Sequence, residues 1–246
     1  IEQISSQYFG HLNEYLNSFV GGGIMFLWIN QQGTSPETAA LLSNQNFRQA
    51  LNYGFDRSAT VNAVNPGYKA YNRLVDSNFA GPDGGKFVDE YPVETVPLSG
   101  DVDKAKEYLA AAMEELGYSD VSQLPQLELI TWDTSEQKLL LETIIDQWKQ
   151  NLGLENIQLT QYVIGTAIGS FYDLSYDLFA ITWETDVLPT DIMEAMVTGG
   201  EVNYGIWSDA QFDSLVEQAI NELEPDKQAE LTAQAEQIFL DNAAIL

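Results

Sequence analysis

The order of patterns in the second half of the chain constrains the fold most. Leu127-Glu-Leu-Ile-Thr-Trp132 has the composition of a strand. From about Ser135 to Leu152, the residues Leu140, Leu141, Ile144, Ile145 and Trp148 recur on one helical face, and Gly153 stops the pattern. Ile157-Gln-Leu-Thr-Gln-Tyr162 alternates apolar and polar, as a second strand would, and Phe171 and Tyr172 close a short helical link. Leu178 to Trp183 is an apolar run rich in aromatic and branched residues, which reads as a buried strand. Strands alternating with helices predict an α/β architecture: a mixed β-sheet flanked by helices.

The flanks extend this pattern. Residues 2–17 are helix-compatible, Gly21-Gly22-Gly23 breaks them, and Ile24 to Asn30 reads as a central strand. A helical stretch, 46–53, ends at Gly54, and Asp56 is placed to cap the next helix. Residues 65–100 carry Gly, Pro and Asn at short intervals and read as an extended excursion with little regular structure, of a length that is often functional or wrapped over the body. Asp101 opens a helix with Ala105, Leu109, Ala112, Met113 and Leu116 as its buried stripe, closed by Gly117. A helix is expected from Thr190 to Val197. Another, capped by Asp209, carries Phe212, Leu215, Val216, Ala219 and Ile220. The last starts at Pro225, with Leu231, Ala235, Ile238 and Phe239 inward.

Charge and missing residue types narrow the chemistry. The chain has 37 acidic and 10 basic residues, a formal net charge of −27. Such a surface repels phosphate backbones and anionic membranes, which argues against nucleic acid as a partner, and it favours amino-bearing ligands. With no cysteine, disulfides, thiol catalysis and thiolate metal sites are excluded. The only histidine, His11, reads as a surface residue, so histidine zinc sites and Ser-His-Asp triads are poor fits. No cofactor and no metal site is expected. Ile1 and the apolar end Ala243-Ala-Ile-Leu246 read as cuts from something longer.

The candidate site follows from where the last strand stops. Glu184 and Asp186, with Thr185 between them, stand at its expected carboxyl end. In open α/β sheets ligands bind outside the carboxyl ends of the strands. Asp186 is therefore the candidate ligand-reading carboxylate. Trp183 can serve as core or as ligand surface, and Trp132, ending another strand, as packing or as a pocket wall. Glu184 and Asp186 could also share one side as an acid/base pair, since glycosidases need two carboxylates about 5–9 Å apart. That makes a hydrolase the enzymatic alternative.

Six stretches in order and spacing resemble the C-terminal lobe of bacterial extracellular solute-binding proteins of the oligopeptide/dipeptide ABC-importer family, family 5. They are Phe47-Arg-Gln-Ala-Leu-Asn-Tyr-Gly-Phe-Asp56-Arg57; Asp103 to Tyr118; Trp148-Lys-Gln-Asn-Leu-Gly153; Tyr176-Asp177 through Trp183-Glu-Thr-Asp186 to Pro189; Trp207-Ser-Asp-Ala-Gln-Phe-Asp213-Ser-Leu; and Ala235-Glu236-Gln-Ile. The resemblance covers roughly residues 20–246. It implies one lobe of a type II periplasmic-binding-protein-like fold, with 1–30 a lead-in segment and first strand and the N-terminal lobe absent.

It further implies a monomer and a non-enzymatic receptor. Such a receptor captures peptides between two lobes and delivers them to an ABC-transporter permease, or senses a peptide pheromone with the same clamp. Its place would be extracytoplasmic, as a cell-surface lipoprotein or in the periplasm. By the same resemblance Asp186 receives the peptide α-amino group beside Trp183, and Asn30 either bonds ligand main chain or caps its strand. Arg48 and Asp56-Arg57 are structural. The chain departs from the family pattern at Val187 and Leu188, where an aromatic and an acid are usual.

Overall fold

The computed structural model describes residues 23–65, 67–184 and 188–246, and of Trp183 and Glu184 the backbone alone. The expected helix over 2–17 and His11 lie outside the described residues. In chain order the elements are β1 (Gly23–Ile29), α1 (Pro36–Ser43), α2 (Gln45–Tyr53), α3 (Arg57–Val64), α4 (Phe87–Glu90), α5 (Val102–Leu116), β2 (Leu127–Trp132), α6 (Ser135–Leu152), β3 (Ile157–Tyr162), α7 (Ile164–Tyr172), β4 (Leu178–Glu184), α8 (Pro189–Ala195), α9 (Ala210–Asn221) and α10 (Pro225–Asp241).

The strands form one mixed sheet in the order β1-β4-β2-β3. β2 runs parallel to both β3 and β4, as their helical crossovers require, and β1 runs antiparallel to β4. Strand alternation divides the apolar residues into two layers. Leu27, Ile29, Leu127, Leu129, Leu178 and Ala180 face one core, shared with Phe47, Leu109, Leu141 and Trp148. Phe26, Trp28, Ile130 and Phe179 face the other, shared with Phe171, Met193, Phe212 and Phe239. Each fully buried Leu or Phe side chain contributes about 1.5–3 kcal/mol.

Local chemistry sets the ends of most helices. The side chains of Asp56, Asp101, Thr134 and Asp209 accept backbone amides at the starts of α3, α5, α6 and α9. Gly117 and Gly153 close α5 and α6 in the left-handed conformation, at φ 76° and 73°. Among its described residues, the excursion over 65–100 holds only α4 and one isolated bridge, Ala80 to Lys86. It is nonetheless part of the body, because Leu74, Val75 and Phe87 are buried in the second core.

Two expectations change. β1 is at the end of the four strands rather than central. Beyond it, Leu27 exchanges both backbone hydrogen bonds with Leu246, at 2.8 and 3.0 Å. Its run is apolar because both faces are covered, which is a separate property from having a strand on each side. Ile220 points outward and is 42% exposed, while Phe212, Val216 and Ala219 carry the buried stripe of α9.

Candidate functional site at the carboxyl edge of the sheet

β2, β3 and β4 run in the same direction, so Trp132, Tyr162 and Glu184 end at one edge of the sheet. The antiparallel β1 begins there: Gly23 pairs with Glu184 and Ile24 with Trp183. β4 outruns β2. The pairs Leu129 with Leu178 and Ile130 with Phe179 put Trp132 level with Ile181, so the strand continues about 10 Å past it. Thr185 and Asp186 follow directly and lie outside the described residues. Trp132 is half-buried and packs on the second core together with Tyr162, Ile181 and Ile24. Thus the backbone of Trp183 and Glu184 and the ring of Trp132 share one edge.

Asn30 is elsewhere. Ile29 pairs with Leu178, so Asn30 lies at the opposite end of β4, about 20 Å from Glu184. Its side chain is fully buried. It donates to Leu174 O at 3.0 Å and Tyr176 O at 2.9 Å, and accepts from Gln32 N at 3.0 Å. Asp177 works at the same far end. One of its oxygens accepts from the amide and hydroxyl of Thr34, both at 2.9 Å, and the other from Glu128 N at 3.0 Å. These two residues fasten the strand starts to each other and to the loop after β1.

The helix-junction residues also turn inward. Arg48 donates to Leu42 O and Asn242 O. Arg57 donates to Asn52 O and its side-chain oxygen, and lies 4.2 Å from the Phe55 ring centroid. Burial lowers the pKa of both guanidinium groups to about 10. Tyr68, near the amino end of α6, has its phenol pKa raised by a hydrogen bond to Glu136 and then by burial. Among the described residues no group of three or more His, Asp or Glu side chains is arranged to hold a metal ion.

A cavity of about 730 Å³ runs along the outer edge of β1, between α2, the start of α5, residues 71–74 and 94–97 and the end of α10. Its lining is mixed in charge, with Arg57, Arg73 and Lys104 against Glu94, Asp101 and Asp241, and includes none of the candidate ligand residues.

What the sequence reading missed lies at the carboxyl edge. Val163 and Leu188 stand at the N-cap positions of α7 and α8, immediately after β3 and just beyond β4. With Ile164 they are 68%, 52% and 62% exposed. Their signal was present in the sequence: apolar residues at positions where Ser, Thr, Asp or Asn is the rule.

Comparison with known proteins agrees with this architecture. The family model of bacterial extracellular solute-binding proteins, family 5 (middle part), matches residues 3–204. The oligopeptide-binding protein OppA of Bacillus subtilis is 28% identical over 207 residues, 83% of this chain and 36% of that protein. The dipeptide-binding protein DppE of the same organism is 26% identical over 205 residues, with 82% and 36% covered. The chain thus spans about a third of the length of these relatives.

Among solved structures, the substrate-binding domain of an oligopeptide ABC transporter from Bacillus anthracis superposes with a TM-score of 0.82 at 23% identity, covering 96% of this chain and 46% of that one. Listeria monocytogenes OppA bound to peptide gives 0.78 at 22%, covering 96% and 45%. A peptide-binding protein of a peptide ABC transporter gives 0.77 at 22%, and there the solved chain itself is 96% covered. With the family match running over most of its length, the chain belongs to the bacterial extracellular solute-binding proteins, family 5.

Proposed function

We propose that this chain is one lobe of the substrate-binding component of a peptide ABC importer. The component works outside the cytoplasm, captures a peptide between this lobe and a second one, and hands it to a membrane permease. The observation that carries the reading is the carboxyl edge of the sheet, from which Trp183 and Glu184 lead directly to Thr185 and Asp186. Asp186 is the group proposed to take the peptide α-amino end, with Trp183, Glu184, Thr185 and Trp132 around it. An ammonium-to-carboxylate hydrogen bond is short and strong, and closure of a second lobe would remove competing water. Its net worth, about 1.5–3 kcal/mol, corresponds to roughly a 10- to 150-fold change in affinity. Asn30, at the far end of β4, has no part in this site.

The test is Asp186→Asn in the complete receptor, with peptide affinity measured by calorimetry. The expected result is a loss of that size for free peptides and little change for N-acetylated ones. Unchanged affinity for free peptides would remove Asp186 from the role. The proposal is one of capture without chemistry. Peptide or glycoside turnover that disappears in Glu184→Gln would instead favour the carboxylate-pair hydrolase.

A pheromone receptor is a second reading. The structure of the peptide-binding pheromone receptor PrgZ superposes with a TM-score of 0.76 at 22% identity. Binding to a random peptide library separates the two: broad capture supports uptake, and one tight sequence supports sensing.

A further inference from the structure

The cavity beside β1 holds two cations that no carboxylate matches. Arg57 is 8% exposed and uses two of its five N–H groups, both on Asn52. Lys104 is exposed; it donates to the Tyr53 hydroxyl at 3.0 Å and stands 4.6 Å from the Tyr53 ring centroid. Asn52 and Tyr53 are consecutive at the end of α2, so one helix end holds both cations against the same cavity. Neither cation belongs to any of the four ion pairs among the described residues, although the chain has 37 acids for 10 bases. A buried charge is ordinarily paired. Arg73, the third cation of the lining, is paired with Glu236 at 2.5 Å. Arg48, outside the cavity, is satisfied by carbonyls at two helix ends, Leu42 O and Asn242 O. The acids that share the lining do not neutralise Arg57 and Lys104. Asp101 accepts the Lys104 backbone amide as the cap of α5, Asp241 accepts from Gln237, and Glu94 is in no ion pair among the described residues.

The same cavity is bordered by an open strand edge. Leu27 exchanges its N–H and C=O with Leu246, so by the two-residue period of a strand those of Met25 point to the same outer side. There they have no partner among the described residues, and Met25 lines the cavity. An unpaired edge is a template for an extended chain. A cavity of about 730 Å³ would be about 11 Å across if round, the span of about three extended residues. A lone ion would leave most of that space, and the edge, unused. A monoanion suits the site better than a phosphate, because three acids share the lining and the whole chain carries −27.

We propose that this cavity is a second ligand site, separate from the anchor proposed at Asp186, for a carboxylate carried on an extended peptide backbone. Arg57 and Lys104 take the carboxylate, and the outer edge of Met25 pairs with the backbone behind it.

The test titrates the chain calorimetrically with N-acetyl-trialanine, its C-terminal amide and acetate. Acetylation removes the ammonium that Asp186 is proposed to take, so binding here does not draw on that anchor. The free acid is expected to bind about tenfold or more tighter than the amide, the worth of a charge-assisted hydrogen bond, and tighter than acetate by a similar factor. Lys104→Gln, on an exposed side chain, is expected to leave Tm unchanged and to cut the preference for the acid over the amide to below about threefold. Arg57→Lys keeps the charge but loses the planar fork, and is expected to weaken the acid several-fold with little change for the amide. Equal wild-type affinities for acid and amide, or no binding of either at millimolar concentration, overturn the site. Acetate binding as tightly as the peptide acid overturns it too, since that describes an ion site without a backbone partner. So do variants that keep the wild-type preference, and an Arg57→Lys variant that lowers Tm alone gives the arginine a purely structural role.

Discussion

Asn30 illustrates how a residue's chemistry is decided by where a strand ends. Its buried side-chain amide satisfies the carbonyls of Leu174 and Tyr176 and the N–H of Gln32, and the bond to Tyr176 is itself buried. Asn30→Ala leaves buried polar groups unpaired, each costing about 1–3 kcal/mol, so the urea midpoint of the chain should fall clearly. Peptide affinity of the complete receptor should stay unchanged, because Asn30 lies about 20 Å from Glu184, at the opposite end of β4 from the edge that leads to the proposed anchor. A loss of affinity with stability intact would reverse that assignment. The contrast with the helix caps explains what was legible in the sequence. Asp56, Asp101, Asp209, Gly117 and Gly153 act on amides and carbonyls within a few residues, so their roles could be read directly. Asn30 acts on Leu174 and Tyr176, and only the antiparallel pairing of β1 with β4 fixes which end of the sheet it occupies.

At the scale of elements, periodicity located all four strands and the long helices because each has one period and one or two buried faces. Strand order was not legible: β1 is apolar on both faces whether it lies inside the sheet or at its end. Nor could the attachment of the excursion be read. Arg73, on that segment, and Glu236, on α10, form a buried ion pair at 2.5 Å with side chains 8% and 0% exposed. Glu236 also accepts from Leu74 N and Val75 N, at 2.9 and 3.0 Å, and Arg73 donates to Val88 O and Tyr91 O. One carboxylate therefore holds a stretch with almost no regular structure against a helix. Glu236→Gln leaves the guanidinium buried without its counter-charge, a loss of about 3–5 kcal/mol. Limited proteolysis should then cut within residues 77–86 before the rest of the chain. Uniform cleavage, or wild-type resistance, would show that the excursion is held by its apolar residues Leu74, Val75 and Phe87 instead.

For the whole molecule the governing quantity is charge. A net charge of −27 on 246 residues means that folding brings carboxylates together faster than it pairs them. The described residues contain four ion pairs, three of them between side chains at least half exposed, and exposed pairs are each worth under about 1 kcal/mol. Salt therefore screens much repulsion and little attraction. Between about 10 and 150 mM NaCl the Debye length falls from about 30 Å to about 8 Å, less than the span of the sheet and its two helical layers. The urea midpoint of the chain should rise over this range with an unchanged m-value, and the gain should level off at higher salt. A flat or falling midpoint would mean that specific ion pairs, and not the summed field, dominate the electrostatics of this lobe. The same field bears on capture. A peptide carrying a free amino end approaches an acidic surface favourably, so its association rate with the complete receptor should fall as salt rises, while its dissociation rate, set by contacts at the carboxyl edge, changes much less.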